Sequence, residues 1–341
     1  MTASRATTPA GEIVTRPMRR AVVTGAGGFI GGHLVRRLER EGVVVRAVDT
    51  KPTAEWQQRS DTAENCILDV GTDAGAMGAV DGVDTVFNLA ADMGGIGFIE
   101  KNRARCMLSV LTSVHMLRAA ERLGVERYFY SSSACVYAAV HQDRPDVVGL
   151  REEDAYPAMP EEGYGWEKLF SERLCRQFEA DFGLATRVAR YHNVYGPEGT
   201  FEGGREKAPA ALCRKIAAAK LCGSPVLEVW GDGRQTRSFT YIDDCIEGTL
   251  RIVASDVAEP LNLGSDQLVS IDRLVDILEG IAGVRLERRY ITDAAQGVRG
   301  RNSDNTRIND LLGWAPSIRL EVGLERTYRW VYDQLAARSG G

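Results

Sequence analysis

Short apolar runs alternate with amphipathic stretches along the N-terminal half of the chain. Arg20-Ala21-Val22-Val23-Thr24 is an apolar run that reads as a strand. A helical pattern follows it, with Leu34, Val35 and Leu38 on one face and Arg36, Arg37, Glu39 and Arg40 mostly on the other. Apolar runs at 43–48 (ending at Asp49), 65–70, 84–91, 127–130 and 186–190 read as further strands, and the spacing predicts a helix over about 103–123. Strands alternating with helices predict an α/β fold, a doubly wound parallel sheet covered on both faces. Ligands in such sheets collect at the carboxyl ends of the strands. Past Pro197 the pattern is mixed, with Gly/Pro turns, short helices and neither repeat nor linker. A smaller C-terminal substrate-binding lobe, interleaved with the sheet, is therefore expected. The division that follows is a loose tail over 1–17, a cofactor domain over 18–196 with a return segment near 239–265, a lobe from 197–238 and 266–335, and a tail over 336–341.

Composition narrows the function classes. The 341 residues include 42 Lys+Arg and 47 Asp+Glu, a net charge of −5, and 44% are apolar. Such a chain can bury a sizeable core and is not of disordered type. It has no basic block for neutralising phosphates, so no nucleic-acid partner is expected. No run approaches the roughly 20 apolar residues that span a bilayer, and the polar 1–17 stretch lacks the apolar core of a secretory signal. A cytoplasmic protein without a membrane partner is expected. Seven cysteines (Cys66, Cys106, Cys135, Cys175, Cys213, Cys222, Cys245) form no CxxC pair and are odd in number. They read as reduced thiols, with no metal site.

The first run ends in Gly25-Ala26-Gly27-Gly28-Phe29-Ile30-Gly31. Gly25 permits a tight turn, Gly28 lets the backbone approach a pyrophosphate, and Gly31 lets the helix pack on the strand. The turn, with Phe29 and Ile30 inside it, leaves free N–H groups at a helix start for the phosphates. Asp49 ends the next strand, where a carboxylate accepts hydrogen bonds from the adenosine ribose and repels a 2′-phosphate. NAD is thus favoured over NADP, with Lys51 nearby as the opposing charge. The GxxGxxG spacing resembles the extended short-chain dehydrogenase/reductase group and its Rossmann-type fold. In that group an acid at the end of the third strand meets the adenine, which points to Asp69.

Ser131-Ser132-Ser133-Ala134-Cys135 follows the 127–130 strand. A polar, proline-bearing loop then leads to Tyr164-Gly165-Trp166-Glu167-Lys168. Tyrosine and lysine four apart lie one above the other on a helix. The ammonium stabilises a phenolate and can hold the nicotinamide ribose, so Tyr164 can move a proton on and off a sugar hydroxyl while hydride goes to NAD. The plain alternative is a surface pair. Behind a dinucleotide turn and a serine-rich strand end, the pair reads as catalytic.

Longer strings are more specific. They are Ala90-Ala91-Asp92-Met93-Gly94-Gly95-Ile96-Gly97-Phe98-Ile99, Gly203-Gly204-Arg205-Glu206-Lys207-Ala208-Pro209-Ala210-Ala211, Gly231-Asp232-Gly233-Arg234-Gln235-Thr236-Arg237-Ser238-Phe239 and Val298-Arg299-Gly300-Arg301-Asn302-Ser303-Asp304-Asn305. With Ser132-Ser133-Ala134-Cys135, and from about Ala21 to Tyr332, the chain closely resembles the GDP-mannose 3,5-epimerase family. The resemblance implies an NAD-dependent isomerase that inverts a GDP-hexose at C3 and/or C5 through a transient 4-keto sugar, giving GDP-L-galactose and/or GDP-L-gulose. It implies Tyr164 as the C4 acid/base, Lys168 as its partner and Ser133 as a hydrogen-bonder to the C4 oxygen. Cys135 and Lys207 match the family's epimerising acid/base pair, with the order of the two open. Around the substrate it implies Gly94, Gly95, Ser133, Ala134, Cys135, Asn193, Glu206, Lys207, Ala208, Lys215, Gln235, Thr236, Arg237 and Arg301, with Arg237 and Arg301 suited to a diphosphate. A homodimer is the assembly common in the group.

Two departures from the family pattern lie near the expected pocket. Trp166 replaces a smaller apolar residue, and Ala138-Ala139-Val140-His141 replaces a proline-containing stretch. Three rival readings remain. A 4,6-dehydratase wants an acid pair where this chain has Ala134 and Cys135. A C4 epimerase leaves Cys135 and Lys207 without a task. A non-catalytic NAD-binding module has no use for Tyr164 and Lys168.

Overall fold

The computed structural model describes residues 17–294 and 296–339. The N-terminal stretch read as a tail lies outside them up to residue 16, as do residues 340–341. Strands β1 (Arg20–Thr24), β2 (Val44–Asp49), β3 (Glu64–Ile67), β4 (Thr85–Asn88), β5 (Arg127–Ser133) and β6 (Ala185–Tyr191) join the late strand Leu261–Leu263 in one seven-stranded sheet. Its order is Leu261–Leu263, β6, β5, β4, β1, β2, β3, and every pairing is parallel.

Side-chain alternation builds a core on each face. Ala21, Val23, Ala47, Phe87 and Phe129 point into one cluster, while Val22, Val48, Val86, Tyr128 and Tyr130 point into the other. Strands buried on both sides read as continuous apolar runs, as parallel sheets require. Helix α1 (Phe29–Arg40) buries Leu34, Val35 and Leu38 on the first face. Helix α2 (Asp73–Val80) covers the second face with Ala76, Ala79 and Val80. Chain order reverses between β1 and β4, and a crevice opens above the strand ends there.

Next come α3 (Ile96–Lys101), α4 (Arg103–Met107), α5 (Val110–Arg122), α6 (Tyr164–Phe182) and α7 (Ala208–Cys222). The helix expected over 103–123 is two helices, α4 and α5. At the junction Leu111 and Thr112 donate to Leu108 and Ser109, i to i−3, and Ser109 turns its hydroxyl to the Asp92 N–H at 3.0 Å. The third strand ends at Ile67 rather than at 70, because Asp69 turns out of the ladder and its Oδ1 accepts the Gly71 N–H at 2.9 Å. The fifth runs on through Ser133, which places the serines on the strand itself.

The C-terminal part carries Val226–Trp230 paired parallel with Glu287–Ile291, and Thr236–Arg237 between Val269–Ser270 and Gly300–Arg301. The helix Ile242–Ala254 packs on α1 and returns the chain to the sheet at Leu261–Leu263. The last helix, Leu320–Ser339, packs on α7 and continues through residues 336–339, where a tail was expected. Leu335 packs on the core, and Arg338 pairs with Glu202 at 2.7 Å with its guanidinium over the Phe201 ring.

Candidate active site

A cavity of about 850 Å³ opens above the reversal point. One end is built by the glycine turn. Gly25 has φ +72°, and a Cβ on Gly31 would lie 2.2 Å from the Gly25 carbonyl oxygen, so only glycine lets α1 start this close to β1. No side chain caps α1, and Gly28, Phe29, Ile30 and Gly31 line the cavity. The N–H groups of the first turn are left for a ligand. Asp49 stands beside them at the tip of β2. Its Oδ2 accepts the Gly27 N–H and its Oδ1 the Lys51 N–H, each at 3.0 Å. Asp69 lines the same end. A bare helix start, a backbone cradle closed to any Cβ and a fixed carboxylate fit a dinucleotide.

The other end holds Ser133, Tyr164, Lys168, Lys207 and Gly94. Ser133 ends β5, and Tyr164 opens α6, which brings Lys168 beneath it one turn on. Lys168 is 1% exposed, donates to the Ser131 carbonyl at 3.1 Å and lies 5.4 Å from the Tyr164 ring centre. Glu167, 3.6 Å from the Lys168 Nζ, is bonded through Oε1 to the Tyr130 and Ser171 hydroxyls. Burial pushes the Tyr164 phenol well above its ordinary value; the nearby Cys135 and Glu167 add to that, and a Ser133 hydrogen bond opposes it.

Lys207 sits immediately before α7, half-buried, and among the described residues no hydrogen bond or salt bridge engages its ammonium. Burial lowers its pKa, with Cys135 acting the other way. The loop that carries it docks on the Gly94–Gly95 loop. Gly95 N–H donates to the Arg205 carbonyl at 3.0 Å, and a Cβ on Gly95 would lie 2.5 Å from the Glu206 carbonyl. Asp92, paired with both Arg105 and Arg205, ties the two loops together.

Cys135 lies just behind this wall in the turn Ala134–Val136, 8% exposed and packed with Tyr164, Ile99 and Cys106. Burial pushes its thiol up to about 11; Glu161 adds to that and Arg301 opposes it. Arg301 Nη1 is 3.8 Å from the sulfur, its Nε donates to Gln142, and its Nη2 pairs with Glu161.

The other sequence-singled residues are dispersed. Ala134 packs away from the cavity with Tyr137 and Leu150. Asn193 (φ 41°) donates to the Ser238 carbonyl, Glu206 accepts from the Gly204 N–H and from Arg214, and Ala208 is the first residue of α7. Lys215 reaches the Glu228 carbonyl beside the Trp230 ring. Gln235 donates to the Trp230 carbonyl while its buried Oε1 has no partner among the described residues, and Thr236 donates to the Pro145 carbonyl. Arg237 hydrogen-bonds carbonyls of Thr236, Gln296 and Val298 and has no carboxylate partner among the described residues. Burial depresses its pKa, and the Arg301 charge depresses it further. Sequence reasoning missed Glu161, Glu167 and Gln142; the only signal was two adjacent glutamates shortly before Tyr164.

Three comparisons with known proteins bear on this geometry. At 47% identity the chain is similar to GDP-mannose 3,5-epimerase 1 of Oryza sativa subsp. japonica, over 93% of this chain and 82% of that protein. GDP-mannose 3,5-epimerase of Arabidopsis thaliana is 46% identical over 92% and 82%. Among solved structures, UDP-glucose 4-epimerase of Thermotoga maritima with UDP-glucose superposes with a TM-score of 0.84 at 25% identity, covering 93% of this chain and 99% of that one. UDP-glucuronic acid 4-epimerase of Bacillus cereus, in complex with UDP-glucuronic acid and NAD, gives 0.78 at 27% identity over 93% and 99%. Residues 21–264, which carry the glycine turn, the Tyr164/Lys168 pair and, but for Arg20, the seven-stranded sheet, match the NAD dependent epimerase/dehydratase family, and the chain belongs to that family.

Proposed function

We propose that this protein epimerises GDP-mannose at C3 and C5 through a transient 4-keto sugar, with NAD held at the glycine turn, giving GDP-L-galactose and GDP-L-gulose. One observation carries the reading beyond a C4 epimerase: a thiol and an amine, Cys135 and Lys207, stand by the Tyr164/Lys168 pair. The identity with two proteins named for this reaction supports the same choice. Gly25, Gly28, Gly31 and Asp49 would hold the cofactor, with Asp69 at the adenine end. When bound there, NAD would supply the hydride acceptor for C4 and, in its reduced form, the hydride donor that restores it. Tyr164 takes and restores the C4 hydroxyl proton, aided by the Lys168 ammonium, and Ser133 hydrogen-bonds the C4 oxygen. An unactivated sugar C–H is too weak an acid for any side chain. Beside a C4 ketone the C3 and C5 hydrogens become acidic, and Tyr164 and Ser133 stabilise the enolate. Cys135 and Lys207 then remove and deliver the protons.

Arg237, a cation with no carboxylate partner among the described residues, suits the diphosphate. Arg301, Gln235, Thr236, Asn193, Glu206, Ala208 and Lys215 complete the proposed substrate surroundings, with Gly94 and Gly95 at the sugar. The assembly is a homodimer through the apolar outer faces of α5 and α6. A free thiol at the reacting centre suits a reducing compartment such as the cytoplasm, and no helix among the described residues is long and apolar enough to cross a membrane.

Incubation with GDP-mannose in heavy water tests the reaction. Deuterium at C3 and C5 with no accumulation of reduced cofactor is expected. Label at C5 alone would restrict the product to GDP-L-gulose, and loss of water or absence of exchange would overturn the reading.

A further inference from the structure

Cys135 is flanked by two opposite charges to which the reaction as described gives no part in proton transfer. Glu161, in the segment before α6, donates its backbone N–H to the Cys135 carbonyl at 2.9 Å, and its carboxylate is paired with the same guanidinium that faces the thiol. Arg301, 6% exposed on the strand Gly300–Arg301, places Nη1 3.8 Å from the same sulfur and pairs through Nη2 with Glu161. Gln142 fixes the guanidinium from the third side through Nε at 2.5 Å. The guanidinium is therefore held in place by three protein partners.

We infer that Glu161 is a positioning residue for Cys135: its carboxylate, clamped by Arg301 beside the thiol, sets a negative charge against the surrounding cations and keeps Cys135 in the protonated form between turnovers. The inference rests on the epimerase reading for its consequence, that Cys135 enters the cycle as the proton donor and Lys207 as the acceptor. Its electrostatic basis does not depend on a substrate.

The other groups facing Cys135 are Tyr164 on α6, Cys106 on α4, Lys207 before α7 and Arg237 on the strand Thr236–Arg237. The two cations and Arg301 all favour a thiolate. Glu161 is the neighbouring carboxylate that opposes them, and burial acts with it. Burial also raises Glu161 itself, yet the Arg301 charge and hydrogen bond hold that carboxyl below its usual range. It is thus ionised wherever the enzyme works. Neutralising Glu161 leaves three cations about the sulfur and must lower the thiol pKa, whereas neutralising Arg301 must raise it.

The test is a titration of the Cys135 thiolate by its ultraviolet absorbance, taken as the difference from Cys135→Ser so that the other six cysteines cancel. Glu161→Gln is expected to move the midpoint down by about one pH unit or more, a tenfold change in proton affinity, and Arg301→Gln to move it up. Glu161→Asp, which keeps the charge, is expected to stay near the native protein. An unmoved midpoint in Glu161→Gln, or shifts of the same sign in Glu161→Gln and Arg301→Gln, overturns the inference. If Glu161→Gln does not fold, Arg301→Gln decides alone, and a midpoint that fails to rise overturns it. No sugar nucleotide is present in this titration, so its failure is separate from failure of the heavy-water experiment.

Discussion

Asp49 shows how little covalent material separates two cofactors. Its two oxygens are each held by a backbone N–H, from Gly27 and Lys51, so the carboxylate is fixed at the rim of the cavity. Lys51, the obvious countercharge for a 2′-phosphate, has its Nζ tied to the Gly27 carbonyl at 3.2 Å. Repulsion therefore meets no ready compensation. Asp49→Asn is expected to weaken NAD roughly tenfold through the lost charged hydrogen bonds and to tighten NADP relative to it, measured as dissociation constants by calorimetry; an unchanged NAD/NADP ratio would count against Asp49 as the discriminating group. This part of the site was legible because its information is local: glycines three apart, then an acid one strand later. The surroundings of Cys135 were not. Arg301 comes from 166 residues away, and its partner Glu161 lies 140 residues from it. No spacing rule joins such positions. The sequence reading accordingly set Arg301 by the substrate from resemblance alone, and only the fold adds that Glu161 and Gln142 engage its guanidinium.

Helix α6 departs from the usual amphipathic arrangement. Its inner face buries the polar Glu167, Lys168, Ser171 and Glu172 among Tyr164, Leu169 and Cys175. That face serves the site and a buried network in which Glu172 binds Arg190 at 2.8 Å and accepts the Ser132 hydroxyl. The outer face carries Trp166 and Phe170, 38% and 53% exposed, and the neighbouring α5 exposes Leu111. A periodicity rule reads such a helix the wrong way round, because apolar stripes are assumed to face inward. The YxxxK pair was found by chemistry, not by the pattern. Large apolar side chains grouped on adjacent outer faces ask for a partner surface, and the partner proposed is a second copy. Light scattering is expected to give twice the chain mass for the native protein and a monomer for Phe170→Glu, with NAD affinity kept because the glycine turn lies elsewhere. A monomeric native protein would remove α5 and α6 as an interface. The break between α4 and α5 was likewise hidden in the sequence, since the Ser109 hydroxyl satisfies a backbone group of a loop that only the fold brings near.

The whole molecule is stitched behind the site by one polar network whose least ordinary member is His192. This residue is fully buried just past β6, with Nε2 2.9 Å from Asn262 Oδ1 and Nδ1 without a partner among the described residues. Asn262, on the late strand, also accepts the Tyr137 hydroxyl at 2.6 Å, donates to the Leu150 carbonyl at 2.7 Å and gives its backbone N–H to Glu152 at 2.8 Å. Strand β6, the return strand and the 137–152 loop are thus joined through a neutral imidazole. Burial pushes the His192 pKa down to about 3; the Asn262 hydrogen bond opposes this, and Arg301 and Arg190 add to it. The unfolded chain, with an ordinary histidine near 6.5, binds this proton where the folded chain does not. Stability from His192 is therefore complete above about pH 6.5 and drains away as pH falls toward 3, at up to about 1.4 kcal/mol per pH unit. Carboxylates contribute to acid unfolding as well, so the informative quantity is a difference. Between pH 7 and pH 4.5 the native protein is expected to lose about 2 to 3 kcal/mol more unfolding free energy than His192→Gln, measured by urea titration. Parallel losses would show that the imidazole is not the group being protonated.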